Sequence, residues 1–316
     1  MKEIIAHSPE MKSLLRALDV AAATDVTLLL QGESGTGKEI LANQIHRNSR
    51  RHNQPMVSLN CAAIPESLAE ATLFGHLKGS FTSAESSGEG YLQAAAGGTL
   101  FLDEVSEMTT AVQAKLLRFL ESGEIQPVGA AVTKKLDVRV IVASNSDLAE
   151  SVEQGHFRQD LFYRLNILPF DVPALRDRQD DIQPMLQYFL GELAEQYSLA
   201  SPSFSSAAMK QLSEYHWPGN TRELKNFCER MLILCAGQAL DVSNLPAEMK
   251  RPRSRTVANG MFDLPDEGLS LDDLEASMIS QALDKTNGNQ SRAARLLGLT
   301  RDTLLYRIKK YGLSAS

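Results

Sequence analysis

The sequence predicts an α/β fold with a parallel sheet, continued by an all-helical subdomain and closed by a small all-α domain. Three features carry this reading. Up to about residue 170, β-rich apolar runs at 26–30, 99–102 and 138–142 alternate with amphipathic helical segments. Strands buried on both faces read as such runs, and a helix between successive strands makes the sheet parallel. Beyond Pro173 the β-branched runs stop, and apolar residues recur at helical spacing through 182–197, 206–215 and 221–235. From about Glu248 to Gly268 the chain carries clustered arginines, prolines and Asn259-Gly260 without an apolar period long enough for a core, which marks a linker. The expected division is 1–170, 171–247, a linker at 248–268, and 269–316.

With 316 residues, 43% hydrophobic and 22% charged, the chain is long enough for two or three folding units. Its apolar runs fall far short of the roughly 20 residues that cross a bilayer. Glu3, His7, Ser8 and Pro9 interrupt any secretory core after Lys2, so a cytoplasmic protein with no membrane segment is expected. Cys61, Cys228 and Cys235 form no C-x-x-C pair and are expected to be reduced core thiols. A net charge of -7 argues against coating nucleic acid by bulk electrostatics. The charge is uneven: from Lys285 to Ser316 seven cationic residues face one acid, Asp302, which gives about +6 there and about -13 elsewhere. Any DNA contact must come from that basic end.

The first element with chemistry is Gly32-Glu33-Ser34-Gly35-Thr36-Gly37-Lys38, between an expected strand at 27–31 and an expected helix at 39–47. That context turns G-x-x-x-x-G-K into a phosphate loop. Its glycines let N–H groups face phosphate oxygens, the helix N-terminus adds partial positive charge, and Lys38 bridges the terminal phosphates. ATP is the expected ligand. Glu39 stands where a metal-binding Ser or Thr usually follows the lysine, so Mg2+ must depend on other groups. The run 98–104 supplies them: an apolar strand ends in Asp103, placed for the metal, and Glu104, placed to orient or deprotonate the attacking water. The pair points to hydrolysis.

These residues resemble the sigma-54-dependent activators, the enhancer-binding AAA+ proteins, over nearly the whole chain. GESGTGKE, Gly32 to Glu39, looks like that family's phosphate loop, where an acid after the lysine is common. By resemblance, Asn60 in Leu59-Asn60-Cys61-Ala62-Ala63 partners Glu104 in a switch, and Asn145 in Val142-Ala143-Ser144-Asn145 is a sensor near the terminal phosphate. The segment Phe157-Arg158-Gln159-Asp160-Leu161-Phe162-Tyr163-Arg164 resembles the arginine-finger stretch, so Arg158 and Arg164 are expected at the ATP of a neighbouring subunit. Trp217-Pro218-Gly219-Asn220-Thr221-Arg222 resembles the second sensor, with Arg222 facing the nucleotide. The loop 74–84 is similar to the one that touches sigma-54, with Phe81 and Thr82 as expected contacts, but its core reads GSFTSA against the usual GAFTGA. A left-handed backbone at Ser83 would cost about 1 kcal/mol.

At the basic end, Ser270-Leu271-Asp272-Asp273 resembles a capping box, with Leu271, Leu274, Met278 and Ala282 expected on one helical face and Gly288 as a stop. Asn289 can cap a second helix to Leu297, Gly298 and Leu299 turn the chain, and Thr300 can cap a third. Leu304 and Ile308 then point inward, and Arg301, Arg307, Lys309 and Lys310 outward, which is helix-turn-helix spacing. The segment 288–312 resembles the Fis DNA-binding domain. That similarity implies that Thr300, Arg301, Thr303, Tyr306 and Arg307 face bases or phosphates, while Asn289 and Ser291 hold the backbone.

The resemblance implies an AAA+ P-loop ATPase with an α/β subdomain, a helical lid and a helix-turn-helix. Dimers are expected to bind double-stranded DNA upstream of a promoter, assemble into a hexameric or heptameric ring, and remodel the closed complex of sigma-54 RNA polymerase holoenzyme. Ile4 to Pro9 run straight into the nucleotide fold, so control is expected from a regulatory protein in trans, from abundance, or from a domain outside this sequence. Two other readings stand beside it: a DNA-binding regulator or repressor that no longer contacts sigma-54, favoured by GSFTSA, and an AAA+ unfoldase, which leaves the helix-turn-helix without a use.

Overall fold

The computed structural model describes residues 4–80, 86–250, 270–286 and 288–311. The chain forms two compact units, Met1–Pro252 and Arg253–Ser316.

The first unit is built on five strands: β1 (Leu28–Gln31), β2 (Met56–Asn60), β3 (Thr99–Asp103), β4 (Arg139–Ser144) and β5 (Leu168–Asp171). All pairs are parallel, in the order β2-β3-β4-β1-β5. Alternation along the strands assigns the two faces. Leu29, Leu100, Leu102, Val140 and Val142 join one core, and Leu28, Leu30, Phe101, Ile141 and Ala143 join the other. The continuous apolar runs of β1, β3 and β4 follow from this, since both faces are covered by helices. Helix Pro9–Ala22 starts at Ser8, whose hydroxyl accepts from Met11 N–H at 3.3 Å, and has Pro in its first turn, where no N–H is needed.

From β1 the chain crosses to β2 on one side, and β5 lies on the other side, so the strand order reverses at β1. In open α/β sheets the crevice at such a switch point, at the carboxyl ends of the strands, is where ligands bind. The registers Gln31↔Ser144 and Asn60↔Asp103 bring four strand ends to that edge.

Helices Ile182–Tyr197, Ser206–Glu214 and Asn220–Leu234 form the helical part of this unit. Their core is organised by fully buried Trp217, whose indole donates to Leu212 O at 2.9 Å and meets Phe227 edge-on at 5.7 Å between centroids. Cys61 and Cys228 are buried free thiols, with burial raising each to a pKa of about 12. Among the described residues no helix is long and apolar enough to cross a membrane.

In the second unit, helices Leu271–Lys285, Gln290–Leu296 and Arg301–Tyr311 pack around Ile279, Ala282, Leu283, Ala293, Ala294 and Leu304. The expected face of the first helix is displaced. Leu271 is 77% and Met278 42% exposed, and Ile279 and Leu283 are buried instead. Residues 282 and 283 lie three and four positions beyond Ile279, so a stripe through 279, 282 and 283 satisfies the helical period as well as the expected one, and only tertiary packing chooses between them.

Candidate ATP site and DNA-binding surface

Beyond β1 the chain passes through the glycine loop into helix Lys38–Arg47. Gly35 and Gly37 have φ of 79° and 105°. A Cβ at Gly35 would also lie 2.4 Å from Gly219 O and 3.2 Å from Arg222 Cβ, so glycine is needed both for backbone conformation and for the approach of the helical lid. No side chain caps the helix at Gly37, which leaves its first N–H groups to line the loop in the manner that receives phosphate oxygens. Lys38 is 7% exposed, and its ammonium donates to Gly32 O at 2.6 Å and Glu33 O at 3.1 Å. Burial lowers its pKa, against the opposing pull of Asp103 and Glu104.

Asp103 closes β3 and accepts from Glu104 N–H at 3.0 Å. Burial raises its pKa, and Lys38 opposes the shift. Glu104 is held in the left-handed region, φ 54° and ψ 49°. Asn60 closes β2 and spends its amide oxygen on Ala62 and Ala63 N–H, at 2.9 and 3.3 Å. It makes no hydrogen bond to Glu104, although both line one cleft with Asp103 and residues 34–39. The lid side contributes Arg222, whose Nη1 donates to Ser34 Oγ at 3.0 Å. Ile4, Ile5, Met185, Tyr188 and Phe189 give the cleft an apolar wall suited to a flat base.

The residues fit Mg2+. Two carboxylates beside a buried ammonium are the donor type that a hard dication combines with phosphate oxygens. Among the described residues no group of three or more His, Cys, Asp or Glu could hold a metal by itself. Asp103, at the end of β3 in the same cleft as Lys38, is the first candidate ligand.

Other expected site residues lie apart from this cleft. Asn145 follows β4, is exposed and is not among the lining residues. Arg158 forks onto Asp160 at 3.1 and 2.7 Å, and Arg164 donates to Leu120 O at 3.2 and 2.7 Å. Both are exposed and neither reaches the cleft of its own subunit. Phe81 and Thr82 lie outside the described residues. The base of their loop is held by paired hydrogen bonds between His76 and Gly88, both 3.0 Å, and by Leu77 N–H to Val128 O. Unforeseen from the sequence were Glu33 as a lid contact with Arg176 and Asn220 as its partners, and Arg178, which donates to Thr36 O at 2.8 Å. Asn220 does carry a signal, since it stands in the Trp217-Pro218-Gly219-Asn220-Thr221-Arg222 string.

In the second unit, Asn289 Oδ1 accepts from Arg292 N–H at 3.1 Å and Thr300 Oγ1 from Thr303 N–H at 3.2 Å, so both cap as expected. Arg301, Tyr306 and Lys309 are exposed; Ser291 and Thr303 are half-buried, and the Thr303 hydroxyl is 2.7 Å from that of Thr300. Arg307 and Lys310 do not simply face outward. Arg307 pairs with Glu275, and Lys310 with Asp272 at 2.9 Å, acids three residues apart near the start of the first helix, where sequence spacing gives no sign of the pairing.

Comparison with known proteins follows the same three parts. The Sigma-54 interaction domain model matches residues 4–171, the AAA+ ATPase lid domain model 176–260, and the bacterial regulatory protein, Fis family model 270–311. The transcriptional regulatory protein ZraR of Klebsiella oxytoca is 44% identical over 307 residues, covering 97% of this chain and 68% of its own length. XylR of Pseudomonas putida is 42% identical over 325 residues, covering 99% of this chain and 57% of its own length. Among solved structures, NtrX from Brucella abortus in complex with ATP superposes with a TM-score of 0.73 at 33% identity, over 99% of this chain and 70% of that one.

Proposed function

We propose, from the premise that this chain belongs to the sigma-54-dependent transcriptional regulators, that it activates transcription by coupling ATP hydrolysis in a ring to remodelling of sigma-54 RNA polymerase. The observation that carries this is the meeting of Lys38, Asp103, Glu104 and Arg222 in one cleft at the switch point of the sheet. Lys38 and the loop N–H groups hold phosphates, Asp103 binds Mg2+, Glu104 positions the water, and Arg222 reports the nucleotide to the lid. Mg2+ supplies charge neutralisation on the phosphates. Asn60, at the end of β2 in the same cleft, partners Glu104 in a switch, and Asn145, just past β4, is a sensor for the terminal phosphate.

Residues 269–316 place the DNA-binding dimer on an upstream site, a ring of six or seven subunits completes each ATP site with Arg158 and Arg164, and Phe81 and Thr82 meet sigma-54. The protein works in the cytoplasm, with its control coming from a regulatory protein in trans, from abundance, or from a domain outside this sequence. The domain limits in this reading are 1–170, 171–247, 248–268 and 269–316. Arg301 is exposed at the start of its helix, where a side chain reaches base edges. Arg301→Ala is expected to relax site selectivity in footprinting, and an unchanged footprint would remove it from the interface.

The test of function is ATP-dependent open-complex formation by sigma-54 holoenzyme, with Thr82→Ala compared at matched ATPase activity. The parent is expected to open the promoter, and the variant to hydrolyse ATP without opening it. If neither opens it despite hydrolysis, the chain is a DNA-binding regulator that has lost the sigma-54 contact.

A further inference from the structure

The loop residue Glu33 does not line the nucleotide cleft, and neither does Arg176. They meet each other: Arg176 Nη1 donates to Glu33 Oε2 at 2.9 Å and Nη2 to Oε1 at 2.5 Å, a two-point fork. Arg176 lies on the short turn Leu175–Asp177, where the chain passes from β5 to the lid. Asn220 Nδ2 donates to Glu33 Oε2 at 3.0 Å and to Ser34 O at 3.0 Å. Its own oxygen accepts from Leu175 N–H at 2.8 Å. Asn220 is fully buried with φ 51°, and it opens the helix that carries Arg222. Thr221 N–H closes the set on Gly35 O at 3.0 Å.

We propose that Glu33 and Arg176 are positioning residues that clamp the phosphate loop to the lid and thereby fix where Arg222 stands. The proposal rests on the reading of Arg222 as the lid's contact with nucleotide. The two side chains are 38% and 43% exposed, and exposed ion pairs add little to stability. A forked pair at a hinge, with a third donor from a buried asparagine, is instead suited to fixing distance and angle. A shift of the loop around bound phosphates moves Glu33, and the fork and the Asn220 bond pass that shift to the turn at 175–177 and the start of the Arg222 helix. Hydrolysis is sensitive to such displacement, since misplacing a group by about 1 Å costs on the order of 100-fold.

Steady-state ATPase kinetics on the full chain test this, with melting temperature and binding of a fluorescent ATP analogue measured alongside. Arg176→Ala is expected to lower kcat by about tenfold or more with melting temperature unchanged and KM moved far less than kcat. Arg176→Lys keeps the charge but loses the fork, so it rescues in part. Because the clamp acts through Arg222, the Arg176→Ala, Arg222→Ala double variant is expected to be no slower than Arg222→Ala alone. Losses that multiply in the double variant overturn the proposal, as does a wild-type kcat for Arg176→Ala while Arg222→Ala is slow. If Arg222→Ala itself turns over normally, the sensor assignment falls and the clamp falls with it.

Discussion

Alanine at Arg158 or Arg164 is expected to slow ATP turnover by about 1,000-fold or more while leaving nucleotide binding intact. Both guanidiniums are on or beside the helix Gln159–Leu165, and neither lines the cleft of its own subunit. Their present partners, Asp160 and the Leu120 carbonyl, are exposed and easily exchanged for phosphate oxygens of a neighbour. A charge that arrives from another subunit makes hydrolysis depend on assembly, and this dependence can be measured. A subunit carrying both Arg158→Ala and Arg164→Ala binds ATP but offers neither arginine. A Lys38→Ala subunit binds no ATP but offers both. Each alone is expected to be inactive, and mixed rings are expected to recover turnover. Mixed assemblies that form and stay inactive would show that the arginines serve their own subunit or none, and a normal rate for the alanine variants would remove them from the reaction.

How much could be read beforehand depended on the length of each signal. Strands β1, β3 and β4 are buried on both faces, so their apolar runs mark them plainly, and Gly32 to Lys38 announces itself because phosphate geometry requires glycines at fixed spacing. The antiparallel pair at Glu124–Ile125 and Lys134–Lys135 and the parallel pair at Ser203–Phe204 and Ala239–Leu240 are two residues long. Such strands have no period to detect. The clamp around Glu33 was hidden for another reason: its partners are 143 and 187 residues away, and nothing in the local sequence links them. The same holds for Asp272 and Glu275, which reach the third helix of their unit and take Lys310 and Arg307 out of the free positive charge expected for DNA. The caps Ser270, Asn289 and Thr300 act through their own backbone neighbours and are legible one by one.

Replacing Glu104 by Gln is expected to separate binding from chemistry: ATP should still bind, and turnover should fall by about 100-fold or more. Gln keeps the size and hydrogen-bonding reach of the side chain and removes the base. The backbone supports this assignment independently. Glu104 sits at φ 54°, between Asp103, whose carboxylate takes its N–H, and the turn Val105–Glu107, whose Glu107 N–H donates to Glu104 O at 3.0 Å. A left-handed backbone costs a β-carbon residue about 1 kcal/mol, a cost that Gly does not bear. Strain of this kind is retained where surrounding structure enforces it and the side chain has work there. Glu104→Gly therefore provides the second arm. It relieves the backbone, so its melting temperature should not fall, and it should be as inactive as Glu104→Gln. Single-turnover hydrolysis with nucleotide affinity and melting curves distinguishes the outcomes. A Gln variant that hydrolyses at the parental rate would transfer the water-positioning role to another group in the cleft. A Gly variant that melts early would mean that the carboxylate holds the strand end in place, and that Glu104 is there for structure before it is there for chemistry.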